Sequence, residues 1–484
     1  MRKSIQAHEV GFVIQAKQYL LTLDGLPSAR VNDLLVNERG QMAIVRALRD
    51  ETLTALSLEG SAKPGDRYGY VEATHQYSCG EHLFGRIINA LGQPVDGKGA
   101  FPPPNVPLTL DVDAPGIEVR VPIHEQLRTG VTIVDTLIPI AKGQRQLIFG
   151  PMRSGKTTFL TETVLAQQRE GTVCIYAVIG KPVVGLRKIT DTIMQEGVPS
   201  KTIVISALSD EPASVIALAP SVAYMIGEYF RNQGEDVLII LDDLDAHAKY
   251  LREIGLLEER LPSTESYPGD IFYQHAHLME RSGHFTEALG SGSITTLPVI
   301  QTDFKNFSDL ISTNLMACTD GHLAFLPNLR AEGIYPSMSI EQSVTRVGRQ
   351  AQFKLQKALT TKIQIALGAY RQQKEYAQFS ADLSAQTKEV LRMGTILESL
   401  LEQTAYKSIA VDVQVILLAL AYTDFLRERD AAFVRAHKKT ILTALAEDTA
   451  LSHLREDARS DMSLDVFFGE LNKVSSHLTS LCHQ

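Results

Sequence analysis

Residues 150 to 157 read Gly-Pro-Met-Arg-Ser-Gly-Lys-Thr, a complete phosphate-binding loop. Its chemistry is that of a polyanion cradle. Gly150 and Gly155 let backbone N–H groups close around β- and γ-phosphates, Lys156 brings a point charge, and Thr157 offers a hydroxyl to Mg²⁺. With Pro151, Met152, Arg153, Ser154 and Thr158 they make up the expected nucleotide-binding set. A metal-bound triphosphate needs a further oxygen donor, and Asp242 follows the apolar run VLIIL at 237 to 241. Ligands gather at the carboxyl ends of parallel strands. Thr157 and Asp242 are therefore the expected metal partners, Asp242 acting through water.

Hydrolysis requires one more group, a carboxylate that positions the attacking water. The strand after the loop instead ends in Gly180-Lys181-Pro182. A charged lysine accepts no proton, and proline lacks a backbone donor. Asp243 is the alternative base, a short carboxylate directly after the metal aspartate. The bland readings are a chance Gly-Gly-Lys turn and an Asp pair that is merely a solvated turn or a helix cap. The strand-turn-helix context of the loop argues against both. A held nucleotide with no local base points to a partner subunit.

The elements that must position these residues follow from the hydrophobic pattern. At 484 residues the chain is too long for one core and predicts two to four domains. From about 10 to 73, short β-rich runs (FVIQA, YLLTL, MAIVRAL, TLTALSL) alternate with turn signals, which predicts a small β-barrel. The Gly- and Pro-rich stretch 92 to 116 reads as a connector. Between about 140 and 345, apolar strands at 146–149, 172–179, 202–206, 236–241 and 294–301 alternate with helical segments. That pattern predicts an α/β domain with a mostly parallel sheet covered on both faces. After about 350, helical periodicity takes over, as in Val390, Met393, Leu397, Leu400 and Leu401, then Val415, Leu418 and Tyr422. The expected domains are 1–73, a barrel; 74–349, a RecA-like nucleotide domain; and 350–484, a helical bundle.

Composition narrows the function classes. The hydrophobic fraction of 44%, charged fraction of 21% and net charge of −9 describe an ordinary globular chain with no global basic field for nucleic acid or anionic lipid. Cys79, Cys174, Cys318 and Cys482 are scattered without metal spacing, the pattern of reduced thiols. The start MRKSIQAHEVGFV lacks a signal-type apolar core. Apolar runs such as VILLALAY at 415 to 422 fall short of the roughly 20 residues that cross a bilayer, so membrane association is expected only through another protein.

Several further motifs, in order, carry a resemblance. They are GRIINALGQPVDGKG at 85–99, APGIEVRVPIHEQLRTGVTIVDTLIPIAKGQRQLIFG at 114–150, GEYFRNQGEDVLIILDDL at 227–244, YPGDIFYQHAHLMER at 267–281, TDGH at 319–322, SVTRVGRQAQ at 343–352 and AYRQQKEYAQFSADL at 369–383. Over nearly its whole length the chain resembles the α subunits of F-type rotary ATP synthases. That resemblance implies ATP or ADP held with Mg²⁺, and an alternating α3β3 ring with catalytic β subunits. It also implies a central-stalk γ subunit, peripheral-stalk subunits, and a place on the cytoplasmic face of the bacterial plasma membrane. Contact with the membrane would run only through the ion-translocating sector.

Catalytic subunits of the family carry Gly-Glu-Arg where Gly180-Lys181-Pro182 stands, and vacuolar regulatory subunits lack the loop lysine present here as Lys156. By resemblance Arg346 reaches the γ-phosphate in a β neighbour's site, Ser343 helps set its position, and Gly348 permits a close backbone approach there. Tyr335 and Pro336 fall where the family packs the adenine; Gln403 matches one of two glutamines facing it, and Ala405 replaces the other. Pro151, Met152 and Arg153, and Gln301-Thr302, also depart from the family pattern, as does a short N-terminal segment that implies a different attachment of the peripheral stalk. Such departures suit an alternate, Na⁺-translocating bacterial branch. The coupling ion, H⁺ or Na⁺, binds in the membrane sector and is not written in this chain.

Two other classes compete. A Rho-like RNA translocase also sets a small barrel before a RecA-like domain, but residues 1 to 73 hold nine Lys/Arg against nine Asp/Glu, with no basic stripe or clustered aromatics for base stacking. A self-sufficient secretion-type ATPase would use Asp243 as its base.

Overall fold

The computed structural model describes residues 9–60, 62–70, 76–107, 112–196, 201–260, 267–302, 309–331, 334–377 and 384–482. The boundary expected at 73 and the end of the motif at 369–383 lie outside these residues. The chain divides into two compact units, one of residues 1–122, 143–152 and 168–320, the other of 123–142, 153–167 and 321–484.

In the first unit, strands Val10–Lys17, Leu20–Asp24, Leu34–Asn37, Met42–Leu48, Thr52–Ser57 and Arg67–Tyr70 close into a barrel. Neighbouring strands run antiparallel in the order first, second, fifth, fourth, third, sixth. The two-residue period turns Leu21 and Leu23, Ala43 and Val45, and Leu53 and Ala55 inward with Val13, Leu35 and Tyr68. Register shifts at Val13/Gln15 and Val45/Ala47 bend the strands that must curve. Closure leaves no edge to pair with another chain. Within the unit, Tyr19 donates to Glu253 at 2.7 Å and Ser214 to the Ser57 carbonyl at 2.6 Å, which fastens the barrel to helices of the nucleotide domain.

The same unit holds a parallel sheet in the order Leu147–Gly150, Ser293–Gln301, Val237–Asp242, Val173–Lys181, Thr202–Leu208, Arg86–Asn89. Its central strands are buried on both faces, which is why they read as unbroken apolar runs. Five of the six were expected; Arg86–Asn89 joins the edge from within the motif at 85–99. Parallel direction puts Gly150, Lys181 and Asp242 at one carboxyl-terminal edge.

One expectation fails. The stretch Ala213–Arg231, 19 residues, is long and apolar enough to cross a membrane by length and composition, so the limit set on apolar runs was too low. Its window is 78% buried inside the protein, and the stretch is divided into the helices Ala213–Ile216 and Ala219–Arg231.

The second unit contains the antiparallel pair Gly321–Phe325 and Met338–Thr345, and the helices Lys354–Ala377, Ala385–Leu401, Val411–Ala419 and Ala431–Glu447 with shorter ones after them. Leu397, Leu400, Leu401, Val415 and Leu418 are core, whereas Val390, Met393 and Tyr422 are half-buried. Within it Asp135 is fully buried. Its carboxylate accepts from Thr129 N and Oγ1, Gly130 N and Gln414 Nε2 at 2.7 to 2.9 Å. Burial pushes Asp135 up to about 6 against these hydrogen bonds. The barrel, the mostly parallel nucleotide-type sheet and the helical C-terminal region of the sequence reading are all present.

Candidate functional site

The phosphate loop leaves the strand Leu147–Gly150 and enters the helix Lys156–Arg169. Gly150 has φ 150° and Gly155 φ 103°, so both glycines occupy backbone regions that side chains disfavour. Arg153, with φ 61°, is the strained non-glycine of the turn and points outward with Met152. The division between the two units falls between Met152 and Arg153, and the residues of each unit are described by themselves.

In the first unit, Gly150, Pro151, Lys181 and Asp242 lie at the sheet's carboxyl edge. Lys181 Nζ lies 2.5 Å from Asp242 Oδ1, and the Tyr176 hydroxyl donates to Asp242 Oδ2 at 2.7 Å. Tyr176 was not read from the sequence; its only signal was a polar-tipped aromatic inside an apolar strand. Asp243 is the helix cap of Leu244–Leu257, its Oδ1 accepting from Ala246 N at 2.7 Å. Burial, then the charge on Asp242, pushes Asp243 up to about 6, with Lys181 acting against both. Gly180 has φ 65°, and a Cβ there would lie 2.8 Å from the Tyr250 ring, so the turn carrying Lys181 admits no larger residue without strain.

In the second unit, Lys156, Thr157 and Thr158 form the first turn of the phosphate-loop helix. Ser154 is buried, and among the described residues its Oγ has no hydrogen-bond partner. An orphaned buried hydroxyl in this loop is the kind of donor a phosphate oxygen satisfies. A Cβ on Gly155 would lie 2.7 Å from Ser337 Oγ, and that hydroxyl donates to the Ser154 carbonyl. The segment after Pro336 thus braces the loop.

Tyr335, joined to Pro336 by a cis peptide, meets the phosphate-loop helix through Glu162. Glu162 accepts from the Tyr335 hydroxyl and from Tyr406 N, and burial pushes its carboxyl up to about 7 despite those bonds. Burial and the neighbouring Glu162 charge push the Tyr335 phenol up, so it remains a donor. Neither Glu162 nor Tyr406 was singled out in sequence. Gln403 is buried with its amide fully engaged. Its oxygen accepts from Thr132 N and Oγ1 at 2.9 Å, and its nitrogen donates to the Gly130 and Lys407 carbonyls at 2.8 Å. It has no amide atom to spare for a base.

Ser343 lies where the strand pair loses register between His322 and Ala324. Its hydroxyl accepts from Ala324 N at 2.9 Å and donates to the Ser339 carbonyl, which pins the irregular segment. Arg346 follows the strand Met338–Thr345 and is exposed.

Among the described residues no group of three or more His, Cys, Asp or Glu side chains converges as a metal cage. Mg²⁺ asks for less, one or two protein oxygens beside substrate phosphates and water. The Thr157 hydroxyl and the Asp242 carboxylate are donors of that type.

Comparison with known proteins places this geometry. The ATP synthase alpha/beta family's nucleotide-binding domain matches residues 130–345, and that family's C-terminal domain matches 352–468. The chain is 36% identical to the ATP synthase subunit alpha of Dictyoglomus turgidum over 457 residues, covering 92% of this chain and 90% of the relative. It is 34% identical to that of Petrotoga mobilis over 482 residues, covering 98% and 95%. With that of Caldanaerobacter subterraneus subsp. tengcongensis it shares 33% over 463 residues, covering 95% and 91%. The phosphate loop, the sheet edge that bears Asp242 and the helical C-terminal region all fall within these matches, and the chain belongs to the ATP synthase alpha/beta family, on its alpha-subunit side.

Proposed function

We propose that the chain is the non-catalytic, nucleotide-binding α subunit of an F-type ATP synthase, completing catalytic sites on β subunits. It alternates with them in an α3β3 ring around a γ subunit, held by peripheral-stalk subunits. The complex couples ATP synthesis or hydrolysis to H⁺ or Na⁺ movement. It sits on the cytoplasmic face of the bacterial membrane through its ion-translocating sector. The chain's own ATP or ADP is held by the loop 150–157 and Thr158, with Tyr335 and Pro336 against the base and Gln403 shaping the wall. Mg²⁺ accompanying the phosphates takes the Thr157 hydroxyl and, through water, the Asp242 carboxylate. Arg346 supplies its guanidinium to the neighbouring β site, and Ser343 steadies the segment that carries it.

The observation that carries this reading is the Lys181–Asp242 ion pair at 2.5 Å. A lysine stands where a base is needed and is itself committed to the metal aspartate. Asp243, the remaining candidate, has its Oδ1 engaged as a helix cap. Both features argue against the secretion-type alternative. Purified alone, the chain should bind Mg-ATP in a filter or calorimetric assay and turn over negligibly; sustained hydrolysis by the lone chain would overturn the proposal in favour of that alternative.

A further inference from the structure

The helix Ala385–Leu401 ends with a carbonyl whose usual partner is turned elsewhere. Regular continuation would bring Gln403 N onto the Ser399 carbonyl, four residues back. That N–H instead donates to the Tyr335 carbonyl at 2.8 Å. A side chain from another helix takes the vacated place. Lys438, in Ala431–Glu447, donates to the carbonyls of Ser399 at 2.9 Å, of Leu400 at 2.6 Å and of Glu402. An ammonium has three N–H donors, and here main-chain oxygens at the negative end of a helix meet them. Ser399 is fully buried, so its carbonyl is costly to leave without a donor. Arg435, one turn earlier on the same helix, holds the Glu402 carboxylate at 3.0 Å.

The turn that follows Glu402 meets the rest of the site at several points. Gln403 N holds Tyr335, the Gln403 amide holds Gly130 and Thr132, and Tyr406 N donates to Glu162 of the phosphate-loop helix. All of these residues, and Lys438, belong to one compact unit. Without the ammonium, the Ser399 carbonyl recovers a donor by drawing the Gln403 N–H back into the helix, and Tyr335 then loses it. Neither the bonds given up nor the bond gained involves a residue of the loop 150–157.

We infer that Lys438 is a positioning residue for the base half of the nucleotide site. By satisfying the end of Ala385–Leu401 it leaves the Gln403 N–H to Tyr335, and through that bond it sets how tightly the chain retains an adenine nucleotide. The inference rests on the reading of Tyr335 and Pro336 as the wall against the base. It deepens that reading by naming the residue, outside the pocket, on which the wall depends.

The test compares ATP with inorganic tripolyphosphate, which offers phosphates and no base, by calorimetry of the full chain in excess Mg²⁺. The native chain should prefer ATP. In Lys438→Met, of similar length but without a donor, that preference should fall by about tenfold, a shift of about 1.4 kcal/mol, while tripolyphosphate affinity stays within about twofold of native. Lys438→Gln, which keeps two N–H donors, should lose about threefold, and it decides the matter should Lys438→Met not fold. A preference equal to the native one in these variants would overturn the inference, whether both affinities are kept or both fall together. Lys438 would then only cap a helix, and its loss would appear in thermal stability alone. A native chain that binds the two ligands equally would overturn the reading of the base wall, and the inference with it. Binding of neither ligand would overturn the nucleotide reading as a whole, which separates the failures.

Discussion

Arg346 owes its place to the backbone around it. Thr345 Oγ1 donates to the Pro139 carbonyl at 2.9 Å and accepts from Gly348 N at 3.1 Å. A Cβ on Gly348 would come within 1.7 Å of that carbonyl oxygen, so only glycine allows the approach. With Ser343 pinning the preceding irregularity, the residue is held at both sides while its side chain stays exposed. In a ring assembled with β subunits, Arg346→Ala should lower steady-state ATP hydrolysis by about 10³- to 10⁵-fold, the range in which arginine fingers act. Assembly followed by gel filtration should be unchanged; an undiminished rate would remove Arg346 from the reaction. At this scale the phosphate loop was legible because it is contiguous. Glu162 was not, because its partners Tyr335 and Tyr406 lie 173 and 244 residues away. Lys181 was legible as a missing base but not as the partner of Asp242, since register between two strands decides that contact.

Between elements, a close helix approach is also read at a glycine. Gly394 in Ala385–Leu401 faces Tyr370 in Lys354–Ala377, and a Cβ there would lie 2.0 Å from the Tyr370 Cγ. An ordinary mid-helix Gly→Ala exchange gains up to about 1 kcal/mol from propensity. Overpacking costs typically about 1–3 kcal/mol, and the obstructing atoms are the root of a buried ring, not a flexible tip. Gly394→Ala should therefore destabilise, lowering Tm in a calorimetric scan; a raised Tm would mean that the helices part easily. Strand and helix identity were read from periods of two and near 3.6. The antiparallel pairing of Gly321–Phe325 with Met338–Thr345, and the addition of Arg86–Asn89 to the sheet, were not. A strand's own period says which face it buries but not which strand it pairs with, and Arg86–Asn89 and Gly321–Phe325 are only four and five residues long.

For the molecule as a whole, three buried carboxyls set a pH dependence. Glu162 is pushed up to about 7 from 4.5, and Asp135 and Asp243 are pushed up to about 6 from 3.8, in each case chiefly by burial. Between those limits the folded chain keeps protons that the unfolded chain has released. At these three groups the folded state thus binds more protons, and their contribution to stability falls as pH rises through the window; His247 and His275, which burial pushes down to about 4 and about 3, act in the opposite direction below about 6.5. For Glu162 the shift corresponds to at most roughly 3 kcal/mol. Glu162→Gln should flatten the decline in urea midpoint between pH 5 and 7, whatever its effect on the midpoint itself. A slope equal to that of the native chain would show that Glu162 does not titrate there.

The sequence by itself determined the local structure and the inventory: a barrel, a parallel nucleotide-type sheet, a helical C-terminal region, a phosphate loop and the absence of a carboxylate after Gly180. Those features are written in neighbouring residues, where backbone conformation and hydrophobic period act. Only the tertiary structure decided that Lys181 and Tyr176 close on Asp242, that Gln403 is consumed by backbone groups, and that Glu162 is buried under two partners. Charge pairing and desolvation depend on which distant segments meet, and no spacing along the chain encodes that meeting.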